Sequence, residues 1–314
     1  MENTMTVVRT VRGDIPAGEL GVCYGHEHLL GSPPVHLAEP DFILNSESAA
    51  VRELGSFRKA GGRALVEMST PDYHRDAGGL RRIAERTGVH IVCATGFNKD
   101  TFSAPLVEPQ SVDDLADRFV RDVTTGIDGT GVRAGVIKAS STLNEISPNA
   151  EKVFRAAAQA HLRTGAPIST HTEAGTMGLE QVQLLQSEGV DPGNVVIGHV
   201  DRKLEWSYHL DLAQTGACLS FDQIGKEKYC PDRDRATFIL RLIEHGHGQQ
   251  ILLAGDMARR SYWPSYGADS GPGLTYILHR FMPWMIEEGL SEDAAVDLLV
   301  HNPARAFSMK TPAS

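Results

Sequence analysis

Eight short runs of apolar residues, most closed by a polar side chain, recur along the chain with amphipathic stretches between them. They fall at residues 22–28, 64–69, 90–96, 133–139, 167–172, 195–200, 217–222 and 251–256. Runs this short and this uniformly apolar, such as 195–200 (VVIGHV) and 251–256 (ILLAGD), read as strands buried on both faces. The stretches between them carry helical periodicity at 46–60, 77–88, 111–126, 149–164, 178–188, 203–215 and 234–245, with Gly88 and Gly165 as stop signals. Residues 6–20 read as a hairpin turning about Gly13-Asp14, and a last helix or pair of helices covers 273–307. Strict alternation of strand and helix predicts a parallel sheet covered by helices. Eight such units predict an α/β fold, a single closed (β/α)8 TIM barrel spanning residues 1–314 as one domain, with a short N-terminal β-hairpin and C-terminal helices. No linker, charge block or low-complexity segment divides it.

The polar residues at the strand ends form a pattern of their own. In Gly25-His26-Glu27-His28, strand alternation points His26 and His28 one way and Glu27 the other. Two imidazoles at i and i+2 make a ready pair of nitrogen donors for zinc, manganese or a similar ion. Lys138 ends the fourth strand, His171 the fifth, His199 the sixth and Asp256 the eighth. Barrel enzymes keep their chemistry at that end. A lone His at a strand end is more often a hydrogen-bonded structural residue, and His90, His161, His209, His245, His247, His279 and His301 lack the placement. A Lys inside the apolar run Val136-Ile137-Lys138 is costly to bury without a partner. Six ligand-type side chains at one end of the strands point to a metal site.

Composition narrows the partners. Among 314 residues, 30 Lys plus Arg stand against 40 Asp plus Glu, a formal charge of −10, which argues against nucleic acid or an anionic membrane as the main partner. Residues 1–10 lack the apolar segment of a signal peptide, and no run approaches the ~18 apolar residues of a membrane span. Cys23, Cys93, Cys218 and Cys230 show no CxxC spacing and read as reduced thiols, so a cytoplasmic enzyme is expected, with a homodimer as the commonest oligomeric state.

The ordered motifs GHEH (25–28), IKAS (137–140), THT (170–172), GHVD (198–201) and GDM (255–257) resemble those of the phosphotriesterase-like branch of the amidohydrolase superfamily. The resemblance extends over essentially the whole chain, including the closing Asn302-Pro303-Ala304-Arg305. It implies two divalent metal ions, one held by His26, His28 and Asp256 and the other by His171 and His199. It also implies that Lys138 bridges them as a carbamate formed with carbon dioxide. Zinc is the first expectation, and the same donors suit manganese, cobalt or iron. The implied chemistry is metal-assisted hydrolysis, in which a hydroxide shared by the ions attacks and Asp256 is the catalytic proton acceptor and shuttle.

The substrate is read from the loops after strands seven and eight, residues 221–229 and 256–273, which in barrels commonly bind phosphate. Lys228, Arg259, Arg260 and Tyr262 offer donors suited to a phosphate or carboxylate. Position alone leaves open whether these charges are simply solvated, because residues 222–236 hold as many acids as bases. The segments GKxKY (225–229) and DMxRxSY (256–262) resemble those of family members that open phosphorylated sugar lactones. By that resemblance Lys228, Arg259 and Tyr262 hold the phosphate, and the partner is a small anionic lactone. Two alternatives remain at this point. One is a lactonase for uncharged or acyl-homoserine lactones with side activity on phosphotriesters; the other is a barrel that binds metal without catalysis, against which a complete ligand set argues.

Overall fold

The computed structural model describes residues 6–37, 39–268 and 271–310. Residues 1–5 and 311–314, the ends of the expected domain, and residues 269–270 of the strand-eight loop lie outside the described residues. Strands β1 (Val7–Thr10) and β2 (Gly13–Pro16) form the antiparallel hairpin. Eight parallel strands follow: β3 (Cys23–Glu27), β4 (Ala64–Glu67), β5 (His90–Gly96), β6 (Val136–Ser140), β7 (Ile168–His171), β8 (Val195–Gly198), β9 (Cys218–Phe221) and β10 (Ile251–Leu253). They pair in sequence order, and the Asp256 amide donates to the His26 carbonyl at 3.1 Å, joining the last strand to the first. The result is the expected (β/α)8 barrel.

Between the strands lie α1 (Glu47–Lys59), α2 (Ala77–Thr87), α3 (Asp100–Val107), α4 (Val112–Thr124), α5 (Pro148–Thr164), α6 (Gly178–Ser187), α7 (Trp206–Gln214) and α8 (Asp232–Glu244). Ser46, Asp76, Ser111 and Ser147 cap helix starts with side-chain oxygens, and α2 and α5 end on the left-handed glycines Gly88 and Gly165. Inside the barrel, Cys23, Val66, Val92, Val136, Val196 and Leu252 pack together, with Phe307 among them. Outward residues pack on the helices, as Tyr24 does on Phe57 of α1 with ring centroids 4.8 Å apart. Two inner and outer layers explain why the strands read as continuous apolar runs.

The structure departs from the sequence pattern in two places. Helix α3 was not expected, because its eight residues include Pro105 and show no clear polar face. Strands β3, β8 and β10 stop short of their apolar runs, so His28, His199 and Asp256 stand just beyond the strand ends. Residues 273–307 form the expected pair of helices, one from Tyr276 to Glu287 and one from Glu292 to Ala306, each with a wider π-helical turn inside it (Ile277–Phe281 and Asp297–His301). Gly289, at φ 108°, turns the chain between the two helices, and Pro283 and Pro303, which lack a backbone donor, each follow one of the π-helical turns. Among the described residues no helix is long and apolar enough to cross a membrane.

One histidine outside the site contributes to acid sensitivity. His209 of α7 donates from Nε2 to the Val200 carbonyl at 2.9 Å and lies against Phe221 and Phe238. Burial holds its pKa down at about 4, against 6.5 for an ordinary imidazole. The folded chain therefore binds fewer protons here than the unfolded chain, and this stability is lost as pH falls from 6.5 to about 4. The denaturation midpoint is expected to drop across that window, and His209→Gln, which keeps a donor for Val200, should flatten part of the drop. An unchanged profile in the variant would assign the loss to other groups.

Candidate metal centre

Local backbone irregularities aim the histidines. Cys23 faces the barrel interior and Gly25 faces Leu252 and Phe307, so plain alternation would send His26 outward. The register of β3 on β4 slips between Tyr24 and Glu27, which returns His26 to the interior. On β8, Val196 faces inward and alternation would send His199 outward; instead His199 takes a left-handed conformation at φ 60°. Asp256 does the same at φ 45°. Such conformations cost about 1–3 kcal/mol each and persist where the surroundings impose them. Lys138 is approached closely by Gly96, where a Cβ would lie 2.0 Å from the Lys138 carbonyl oxygen. Only glycine fits there.

The structure brings all six expected side chains together around one cavity of about 230 Å³ at the C-terminal end of the strands. His26, His28 and Asp256 offer ligand atoms that lie within 4.8 Å of one another, as do His26, His199 and Asp222. The His26 ring is 4.7 Å from that of His199, and His171 is 4.5 Å from His199. Lys138 is buried, and its Nζ donates to the Met68 carbonyl at 3.1 Å.

Four features fit this pocket to metal ions. His26 Nδ1 and His171 Nε2 are buried without a hydrogen-bond partner among the described residues. Such orphans are costly unless a ligand satisfies them. Burial pushes the His171 imidazole down to about 3 and likewise holds His26 well below its ordinary range, so both are neutral donors at pH 7. Burial also lowers the Lys138 ammonium, favouring a neutral amine. Burial pushes the Asp256 carboxyl up, but the Lys226 ammonium beside it outweighs that and holds it well below the usual carboxylate range.

Several residues at the site were not singled out from the sequence. Glu27, the odd residue of GHEH, points away from the metal donors and accepts from the amides of Gly255 (2.7 Å) and Met257 (2.8 Å), which flank Asp256. Asp222 accepts from His199 Nδ1 at 2.6 Å and from the His199 amide at 3.0 Å. Lys226 Nζ and Gln223 Nε2 donate to Asp256 Oδ2 at 2.9 and 3.0 Å. Lys99 and Glu173 form an ion pair in the cavity wall, and Arg202, also lining it, stacks on Tyr229 at 3.8 Å. The GKxKY motif holds Lys226 in plain view, but nothing in its spacing says that it turns inward while Lys228 stays exposed.

The three residues expected at the phosphate stand around the cavity rather than in its lining. Lys228 Nζ lies 5.2 Å from the ring centre of Tyr262. Arg259 is drawn to the other side, where it stacks on Phe42 at 3.7 Å and pairs with Glu39 (2.9 Å) and Asp41 (3.2 Å). Arg260 bonds the Ile43 carbonyl and Asn45, tying the strand-eight loop to the segment after β3.

This barrel, with its histidines, lysine and aspartate converging at the C-terminal mouth, is that of an amidohydrolase-type hydrolase. The chain belongs to the phosphotriesterase family, whose model matches residues 6–307. The family depends on a binuclear metal centre, and this chain carries the candidate His and Asp groups for one. It is 36% identical to a lactonase from Listeria monocytogenes, whose structure superposes with a TM-score of 0.93 over 97% of this chain and 100% of that one. It is also 36% identical to the phosphotriesterase homology protein of Escherichia coli, solved with phosphate in its active site, with a TM-score of 0.89 over 92% and 99% of the two chains. The phospho-furanose lactonase of Mycoplasmopsis agalactiae is 32% identical over 97% of this chain and 92% of its own length.

Proposed function

We propose that this hydrolase opens the ring of a phosphorylated sugar lactone. The observation that carries the reading is the charge around the cavity. Lys99 and Arg202 line the same cavity as the six metal-type side chains, and Lys228 and Arg259 flank it. Relatives that act on phospho-furanose lactones or hold phosphate in the active site support it.

In this reading His26, His28 and Asp256 hold one divalent ion, and His171 and His199 hold the other. Zinc is the first choice, with manganese, cobalt or iron also suited to these donors. Lys138, whose ammonium burial disfavours, would add its amine to carbon dioxide with loss of a proton, and the carbamate would supply anionic oxygen donors for the ions. When bound, such a pair of ions polarises a carbonyl oxygen and makes water acidic enough to serve as a nucleophile near pH 7. Asp256, ionised and steadied by Lys226 and Gln223, accepts the proton and passes it to the departing ring oxygen. Lys228, Tyr262 and Arg259 take the phosphate, with Arg259 exchanging Glu39 and Asp41 for it.

The test is kcat/KM on an aldono-1,4-lactone with and without a 5-phosphate. The phosphorylated member should be favoured by ~100-fold, about 2.7 kcal/mol of discrimination. Equal rates would remove the phosphate from the reading. The rings of Phe42, Tyr73, Phe102 and Tyr229 in the cavity wall favour one second reading, an uncharged or acyl-homoserine lactone, which equal rates would support.

A further inference from the structure

His28 is tethered at two points to a single buried carboxylate. Ser69 lies just past the end of β4, and its Oγ is 2.9 Å from His28 Nδ1 and 2.6 Å from Glu67 Oε1. Glu67 Oε1 also accepts from the Leu29 amide at 3.1 Å, and Oε2 accepts from the Ser69 amide at 3.2 Å. All of these side chains are buried. Both carboxylate oxygens are therefore engaged as acceptors.

A hydroxyl has one proton to give. With Glu67 acting as acceptor, the Ser69 proton points to Oε1, and the oxygen turns a lone pair towards His28. His28 Nδ1 must then carry the hydrogen. Its Nε2 keeps a lone pair and lies 3.4 Å from Asp256 Oδ1, on the side of the other donors. His199 shows the same logic in a shorter form, with Nδ1 bonded directly to Asp222.

We propose that Ser69, backed by Glu67, is a positioning residue that holds His28 with its proton on Nδ1 and leaves Nε2 free to bind a divalent ion. The chain Glu67–Ser69–His28 orients the ring, and the bond from Glu67 to the Leu29 amide fixes the backbone that follows it. This rests on the reading of His28 as a metal ligand. Burial raises the Glu67 pKa, and a proton on Glu67 would reverse the chain, making Ser69 the donor and Nδ1 the acceptor. The two arrangements predict opposite tautomers.

The experiment titrates metal-free wild-type protein, Ser69→Ala, Ser69→Thr and Glu67→Gln with zinc against a chromophoric chelator. It also follows the His28 ring nitrogens by 15N NMR in histidine-labelled protein. Wild type should bind two ions. Ser69→Ala should bind one of them ~10–100-fold more weakly, the usual loss when a ligand's hydrogen-bond partner is removed. Glu67→Gln should weaken the same ion, and Ser69→Thr, which restores the hydroxyl, should stay near wild type. The Nδ1 proton should be protected from exchange in zinc-loaded wild type and lose that protection in Ser69→Ala. Undiminished zinc affinity in Ser69→Ala, or a proton on Nε2 in metal-free wild type at about pH 9, would overturn the proposal. Wild-type protein that takes up no zinc would instead refute the ligand assignment on which it stands.

Discussion

Asp256→Asn should lower kcat for lactone opening by about 10³, within the ~10²–10⁴ range for losing a positioned proton acceptor. Asparagine keeps the shape and one oxygen donor but cannot accept the proton at neutral pH. The native carboxyl is held well below its ordinary range because the Lys226 ammonium overcomes its burial, so it is ionised and available. The fold should survive: the Asp256 N–H donates to the His26 carbonyl, and Glu27 accepts from the amides of Gly255 and Met257 on either side. Steady-state kinetics beside circular dichroism and metal analysis decides the matter. Turnover at the wild-type rate would remove Asp256 from the proton path, and loss of metal in step with activity would reduce it to a ligand.

Arg235→Met should cost about 3–5 kcal/mol of stability, the usual loss when one partner of a buried ion network is removed. Arg235 is fully buried, and its guanidinium bonds Asp201 at 2.9 Å, Asp232 at 2.7 Å and the Cys230 carbonyl at 2.8 Å. Removing it strands two buried carboxylates. Asp201 also holds the Gln223 amide, and Asp232 holds the Gly225 amide and the Tyr276 hydroxyl. These bonds fix the loop that delivers Gln223 and Lys226 to Asp256, so kcat should fall together with the urea midpoint. An unfolding free energy within ~0.5 kcal/mol of wild type would mean that the network contributes little.

The sequence already carried the barrel, because a strand buried on both faces reads as a short apolar run and a helix between two such strands shows its own period. It also carried the candidate ligands, since His26, His28, Lys138, His171, His199 and Asp256 each fall at the end of such a run. Helix α3 was hidden, because eight residues with an internal proline leave no sustained period. How the ligands are aimed was decided only in three dimensions. Alternation counted from Cys23 or Val196 gives the wrong face for His26 and His199, and a register slip and a left-handed residue correct it. The supporting groups were equally hidden. Glu67 and Ser69 reach His28 from 41 and fewer positions away, and Lys226 reaches Asp256 across 30. Periodicity reports which face a residue occupies, because burial repeats along the chain. Hydrogen bonds between different strands follow from the closure of the sheet, which brings distant residues within about 3 Å and leaves no mark on local spacing.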